Sequence, residues 1–265
     1  MKKFLLCLYR TVQQTTKQCF LVFVVLVLAL QIVPMPTASA IAVPSPVSAE
    51  PLPTVQVDGV VWATTTYDNT VYATGRFYNA RPAGAALGGA GTIARAGLLA
   101  FDATTGNLNT TFVHSLGGTS SEPCWGSAAT GAQGCALAVS PDGKRLYVGG
   151  AFSTVDGQAH QNLAAIDLTT NKVIAGFNGT NLPVKAMAAT NTMVYVGGNF
   201  TSASGVSRGK LAAYNANGTL SSSWLANVSG KVRALVVAGG KLIVGGQFTR
   251  INSTTLYSTG AVSLT

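Results

Sequence analysis

Val-Lys-Ala-Met-Ala-Ala-Thr-Asn-Thr-Met-Val-Tyr-Val-Gly-Gly-Asn-Phe, residues 184–200, decides the fold. Side chains alternate through Val184 to Met187, Asn191-Thr192 marks a tight turn, and Val-Tyr-Val then runs into a glycine pair. Alternation interrupted by turn residues reads as a β-hairpin. The same pattern recurs at residues 61–77, 136–152 and 232–248. In every copy an alanine (Ala63, Ala138, Ala186, Ala234) precedes a phenylalanine (Phe77, Phe152, Phe200, Phe248) by 14 residues, and the last two copies begin 48 residues apart. A period of about 40 to 50 residues made of short strands indicates a radial or stacked array.

Working outward, each hairpin is followed by L-A-A-φ-D/N (Leu98 to Asp102, Leu163 to Asp167, Leu211 to Asn215), then a turn, then a short segment ending on Phe112, Phe177 or Trp224. That makes four antiparallel strands per copy, the blade of a β-propeller. The expectation is therefore an all-β propeller of four-stranded blades at about 57–112, 135–177, 184–224 and 232–265, the last incomplete, as in a fragment of a longer protein. Alanine suits the crowded innermost strand. The recurring aromatics would fill the wedge between neighbouring blades, at about 1.5–3 kcal/mol of burial each.

The amino terminus has another character. Lys2, Lys3, Arg10 and Lys17 precede an apolar run from Phe20 to Val33, and Ala38-Ser39-Ala40 offers small residues for cleavage. The run is short for the ~20 residues a membrane-spanning helix needs, so 1–40 reads as a secretory signal cleaved after Ala40. Membrane attachment would arise only through an uncleaved signal. Residues 41–56, with Pro44, Pro46, Pro51 and Pro53, read as an extended spacer.

Four of the 17 basic residues lie in that leader, and the remainder are scattered. Nucleic acid is not an expected partner. Cys124 and Cys135 sit in the long insertion between the first two copies, close enough for a disulfide in an oxidising compartment. Free thiols or a weak metal pair are the alternatives.

The pattern V-Y-V-G-G-x-F-T-x-x-x-G, followed by L-A-A-φ-D/N and a closing aromatic, resembles the delta-60 repeat propellers of secreted actinobacterial proteins. It is more distantly similar to kelch propellers and to the central domain of galactose-oxidase-like proteins. The resemblance spans residues 57–265 and implies an extracellular or cell-surface propeller. It implies no catalytic residue for any position of this chain.

Catalytic chemistry is sparse. His114 and His160 fall in loops and read as solvated. Asp102 and Asp167 align with Asn215, so ionisation is dispensable there and turn capping is the expected role. Asp156 aligns with Ser204. No carboxylate pair, nucleophile elbow, metal motif or cofactor loop is evident. Neither a metal nor a cofactor is expected. The candidate ligand-facing residues are Lys185 and Arg233, at one position of the innermost strand where copy two has Leu137, together with Trp125 in the insertion. The resulting expectation is a non-catalytic recognition or scaffold module for a glycan or protein ligand. Part of a larger polysaccharide-active or oxidase-like enzyme, or a structural cell-envelope protein, are the other readings.

Overall fold

In the computed structural model, residues 52–119, 122–125 and 131–264 are described. The expected leader, its cleavage point and residues 41–51 of the spacer lie outside them. The described residues contain strands and turns and no helix.

Four antiparallel sheets follow one another along the chain. Unit 1 is Val60–Tyr67, Thr70–Arg76 and Leu98–Asp102. Unit 2 is Gln133–Val139, Arg145–Ala151, Leu163–Asp167 and the two-residue strand Lys172–Val173. Unit 3 is Val184–Ala189, Met193–Gly198 and Leu211–Asn215. Unit 4 is Lys231–Ala238, Lys241–Gln247 and Thr259–Ser263. The first strands of consecutive units contact each other. Units 1, 2 and 3 each bury one face against the next.

Three core clusters occupy those seams. Phe112 of unit 1 packs with Leu146, Val148 and Phe152 of unit 2. Phe177 of unit 2 joins Val184, Met187 and Phe200 of unit 3. Trp224 of unit 3 joins Val232, Leu242 and Phe248 of unit 4. Each closing aromatic also meets the tyrosine of its own V-Y-V strand edge to face: Tyr72 with Phe112, Tyr147 with Phe177 and Tyr195 with Trp224. Such pairs add to the burial itself.

The expected fourth strand is much reduced. It survives as Lys172–Val173 in unit 2 and as single bridges, Phe101 to Leu108 and Tyr214 to Leu220, in units 1 and 3. Side-chain caps explain its shortness. Asn109 Oδ1 accepts from the Thr111 and Phe112 amides, and Ser221 Oγ accepts from the Trp224 amide, so the chain turns inward just before the aromatic.

The connections between second and third strands are not loops. Each folds into a small second sheet joined by the segment that enters the unit. Gln56–Val57 pairs with Asn79–Arg81, and Leu116–Gly117 pairs with Thr154–Val155. Thr180 bridges to Ala203, and Val228 to Ile251. The end of the expected spacer therefore belongs to the fold, since Gln56 lies in the sheet and the Val55 amide donates to the Gly106 carbonyl. The residue before each third strand takes the left-handed conformation: Gly97, Asn162, Lys210 and Ser258. Its amide donates to the carbonyl of the motif phenylalanine, and its carbonyl accepts from the second glycine of the motif.

The glycine pair has a specific steric cause. A Cβ on Gly75, Gly150, Gly198 or Gly246 would collide with a carbonyl on the first-strand side of its own unit. A Cβ on Gly149 would strike Val184, and one on Gly197 would strike Val232, each on the next unit. Unit 1 reverses this arrangement. Thr74 replaces the first glycine, and opposite it stands Gly134, at the position of Val184 and Val232. The threonine is held by donating Oγ1 to the Gly97 carbonyl at 2.6 Å.

One sequence alignment is corrected. In copy two Ala136, not Ala138, pairs with the first glycine, just as Ala186 pairs with Gly197. The hairpin of unit 2 is longer because Ser140 Oγ accepts from the Arg145 amide and donates to Asp142 Oδ1, closing a five-residue turn. Cys135, not Leu137, therefore corresponds to Lys185 and Arg233.

The histidines are also corrected, for both are buried. His114 Nδ1 lies 2.6 Å from Asp156 Oδ2 and its Nε2 3.1 Å from Asn171 Oδ1, tying the segment entering unit 2 to two of that unit's turns. His160 is enclosed where Arg95 and Arg208 stand in units 1 and 3. Burial pushes its pKa below the usual 6.5, outweighing the Phe177 backbone and Asp156, which favour the charged form.

Two outcomes follow from this packing. Gly134→Val should destabilise the protein by about 1–3 kcal/mol through overpacking against Thr74. Adding Thr74→Gly should recover a large part of that loss, giving a favourable coupling in a denaturant-melt double-mutant cycle. Additive effects would show that the two positions do not share the contact. The neutral His160 ring, for its part, stabilises the fold above the unfolded pKa. Unfolded chain takes up the proton near pH 6.5 and folded chain only at lower pH, so stability falls as pH drops below about 6.5. Melting curves between pH 7.5 and 5 should show that decline in the wild type and a smaller one in His160→Gln.

Candidate functional site

Every first strand carries a β-bulge at one place. The register shifts between Val61 and Ala63, Gly134 and Ala136, Val184 and Ala186, and Val232 and Ala234. The bulged residues are Trp62, Cys135, Lys185 and Arg233. A bulge inserts a residue with no partner on the neighbouring strand and re-aims its side chain. These side chains are consequently released from the sheet-packing pattern that governs the rest of the strand.

Unit 2 uses its bulge to anchor the insertion. Cys135 forms a disulfide with Cys124, with 5.4 Å between their Cα atoms. Both cysteines are buried with Ala151, and Trp125 packs against them. The Cys124 amide donates to Gln133 Oε1 at 3.3 Å, fixing the same stretch a second time. Trp125 is thereby presented from the unit 2 bulge to the bulges of units 3 and 4. Lys185 Nζ lies 5.7 Å from the indole centroid and Arg233 Cζ 5.4 Å from it. Both are cation–π distances, worth about 0.5–2 kcal/mol apiece depending on desolvation.

The electrostatics are dominated by cations. Partial burial lowers the Lys185 pKa; Glu122 opposes that shift, while Arg233 and Lys231 reinforce it. Three cations therefore act on one neighbourhood with one acid. Arg233 is oriented by donating Nη2 to Gln247 Oε1 at 3.1 Å, and its unit leaves it exposed. Trp62, at the same bulge of unit 1, is 37 % exposed.

The structure thus brings together three residues that the sequence placed in separate segments, Trp125, Lys185 and Arg233, and adds Glu122 and Lys231. Lys231 was missed because it falls one residue before the aligned pattern, and Glu122 because it stood alone beside Pro123. The cluster holds no nucleophile poised beside a base. Among the described residues no group of three metal-ligating side chains occurs. Asp102 and Asp167 cap turns: each accepts from backbone amides two and three residues ahead, which holds their carboxyls below the usual range.

Replacing both Cys124 and Cys135 by serine should lower stability by about 2–3 kcal/mol if loop closure dominates. It should also release Trp125 from its cations, visible as altered tryptophan emission that Lys185→Met alone partly reproduces. An unchanged melting temperature would show that the cross-link contributes nothing to stability.

The profile of the Rax2 C-terminal beta propeller domain matches residues 161–260, which lie in units 2 to 4. Among curated proteins none matches the chain. The computationally designed Ika4 protein superposes at a TM-score of 0.45 and 12 % identity, covering 76 % of this chain and 95 % of that one. U3-55K gives 0.46 and 12 %, covering 79 % of this chain and 55 % of that one. A chain of the mitotic checkpoint complex gives 0.41 and 13 %, over 82 % and 56 %. The repeating all-β sheets and the matched domain together identify a β-propeller module, similar over those 100 residues to the Rax2 C-terminal propeller.

Proposed function

We propose that this chain is an extracellular, non-catalytic recognition module whose bulge cluster binds an acidic carbohydrate. The supporting observation is the convergence of Lys185 and Arg233 on the Trp125 indole. Cations held on rigid strands supply the attraction for carboxylate or sulfate groups. An indole offers a flat apolar face that a sugar ring can contact, and the disulfide keeps that surface in place without ordering cost on binding. The basic leader followed by an apolar run, and the cross-link itself, support export to an oxidising compartment. Propeller architecture does not by itself assign an activity, so the reading stands on the side-chain cluster.

The test is a titration with polygalacturonate as the acidic probe and dextran as the neutral one. Polygalacturonate should bind with an affinity that falls steeply as salt rises, and dextran should not bind. Lys185→Ala combined with Arg233→Ala should weaken polygalacturonate binding by about tenfold or more. Equal binding of both polymers, or an unaffected double variant, would remove the basis for this function.

A further inference from the structure

The bulge of unit 1 pairs an aromatic with a cation, the same chemistry as the Trp125 cluster, on residues that the cluster does not use. In units 2 and 4 the bulged side chain meets the residue just before the motif phenylalanine of its own unit. Cys135 shares a core cluster with Ala151, and Arg233 donates to Gln247. The corresponding pair in unit 1 is Trp62 and Arg76. The ladder sets them on facing strands, with Val60 opposite Arg76 and Val61 opposite Gly75 where the bulge begins. Arg76 is exposed, and its guanidinium makes no hydrogen bond or ion pair with any described residue.

A third exposed side chain bounds the same surface. Tyr78, two residues beyond Arg76, is 56 % exposed, and a Cβ on Gly131 would lie 2.7 Å from its hydroxyl. Gly131 belongs to the insertion that carries Trp125, so unit 1 and that insertion adjoin here. The first strands of consecutive units contact each other, and all four bulges stand at one register. Trp62 and Arg76 therefore lie one unit from the Cys135 bulge, on the flank opposite Lys185. Large aromatics left exposed forgo the stabilisation that burial would give them. Tryptophan, tyrosine and arginine are also the residues that most often carry binding energy.

We propose that Trp62, Arg76 and Tyr78 form a second subsite for the same ligand, which is therefore a linear glycan bearing acidic groups on several of its sugars. This inference rests on the acidic-carbohydrate reading of the Trp125 cluster and extends it. A single acidic sugar, or a chain with one terminal charge, satisfies one subsite. A chain with repeated carboxylates or sulfates satisfies both. At unit 1 the Arg76 guanidinium donates to one acidic group, and the Trp62 indole and Tyr78 ring supply apolar contact to the sugar. The cross-linked Cys135 bulge stands between the two subsites and fixes their spacing. Joining two sites through one chain makes the second contact intramolecular, which raises affinity beyond that of either site alone.

Isothermal titration of the purified protein with galacturonate dimers and decamers tests this. Trp62→Ala combined with Arg76→Gln should weaken decamer binding by about tenfold or more while changing dimer affinity by less than about twofold. Comparing the decamer-to-dimer ratio in wild type and variant removes the statistical advantage that a long chain has on any single site. Arg76→Gln alone should give part of the loss, and it decides the matter should the double variant not fold, as judged by circular dichroism. An unchanged decamer affinity, or dimer and decamer affinities that fall equally, would overturn the second subsite. The first would still stand in that case if Lys185→Ala with Arg233→Ala weakens polygalacturonate binding. No effect of that variant would overturn the acidic-carbohydrate reading itself, and the second subsite with it.

Discussion

Everything in this fold depends on how closely the second strand of each unit is approached from two sides. On one side the first strand of the same unit bulges and sets a carbonyl where a side chain would otherwise stand. On the other, in units 2 and 3, the first strand of the next unit presses in with a valine. Two adjacent positions without Cβ atoms let both approaches happen at once. The wedge between units is then filled by tyrosine, phenylalanine and tryptophan, which contribute through burial. At the two seams that carry a full glycine pair, the close approach of the strands brings the closing aromatic into one core with the next unit's motif phenylalanine.

The same bulge that demands the second glycine generates the candidate site. Regular pairing would have alternated these side chains between two packed faces. The extra residue frees them, and the four units use that freedom in different ways. Unit 1 exposes an indole at Trp62, and unit 2 spends its position on the cross-link that delivers Trp125. Units 3 and 4 place cations beside that indole. The scaffold is thus repeated while the chemistry at one equivalent place varies, the usual way a rigid repeat carries recognition.

The repeat was readable because alternation, turn residues and the glycine pair all agree in each copy. The strand order and the burial of Phe77, Phe152, Phe200 and Phe248 follow directly from it. Spacing alone misled at one point. Ala138 satisfies the 14-residue spacing although Ala136 is the residue in register, and the hydrogen bonds of Ser140 show why: the unit 2 turn is longer. That two-residue offset hid the equivalence of Cys135 with Lys185. The small second sheets were illegible for another reason: their strands are two or three residues long and their partners come from the preceding linker. Burial of His114 and His160 likewise depends on contacts made across such linkers.

The Thr74–Gly134 reversal makes the order of the units a matter of steric grammar. A threonine on one flank tolerates only a glycine on the flank that follows, whereas Gly149 and Gly197 are each completed by a valine. Were unit 1 followed by unit 3, Thr74 would confront Val184; were unit 2 followed by a duplicate of itself, Gly149 would confront Gly134 and leave a void. Near-identical modules in one polypeptide invite misassembly. Here the wrong junctions that involve the exit of unit 1 or the entry of unit 2 are disfavoured by side-chain volume at a single pair of sites, so that those two repeats are told to accept each other.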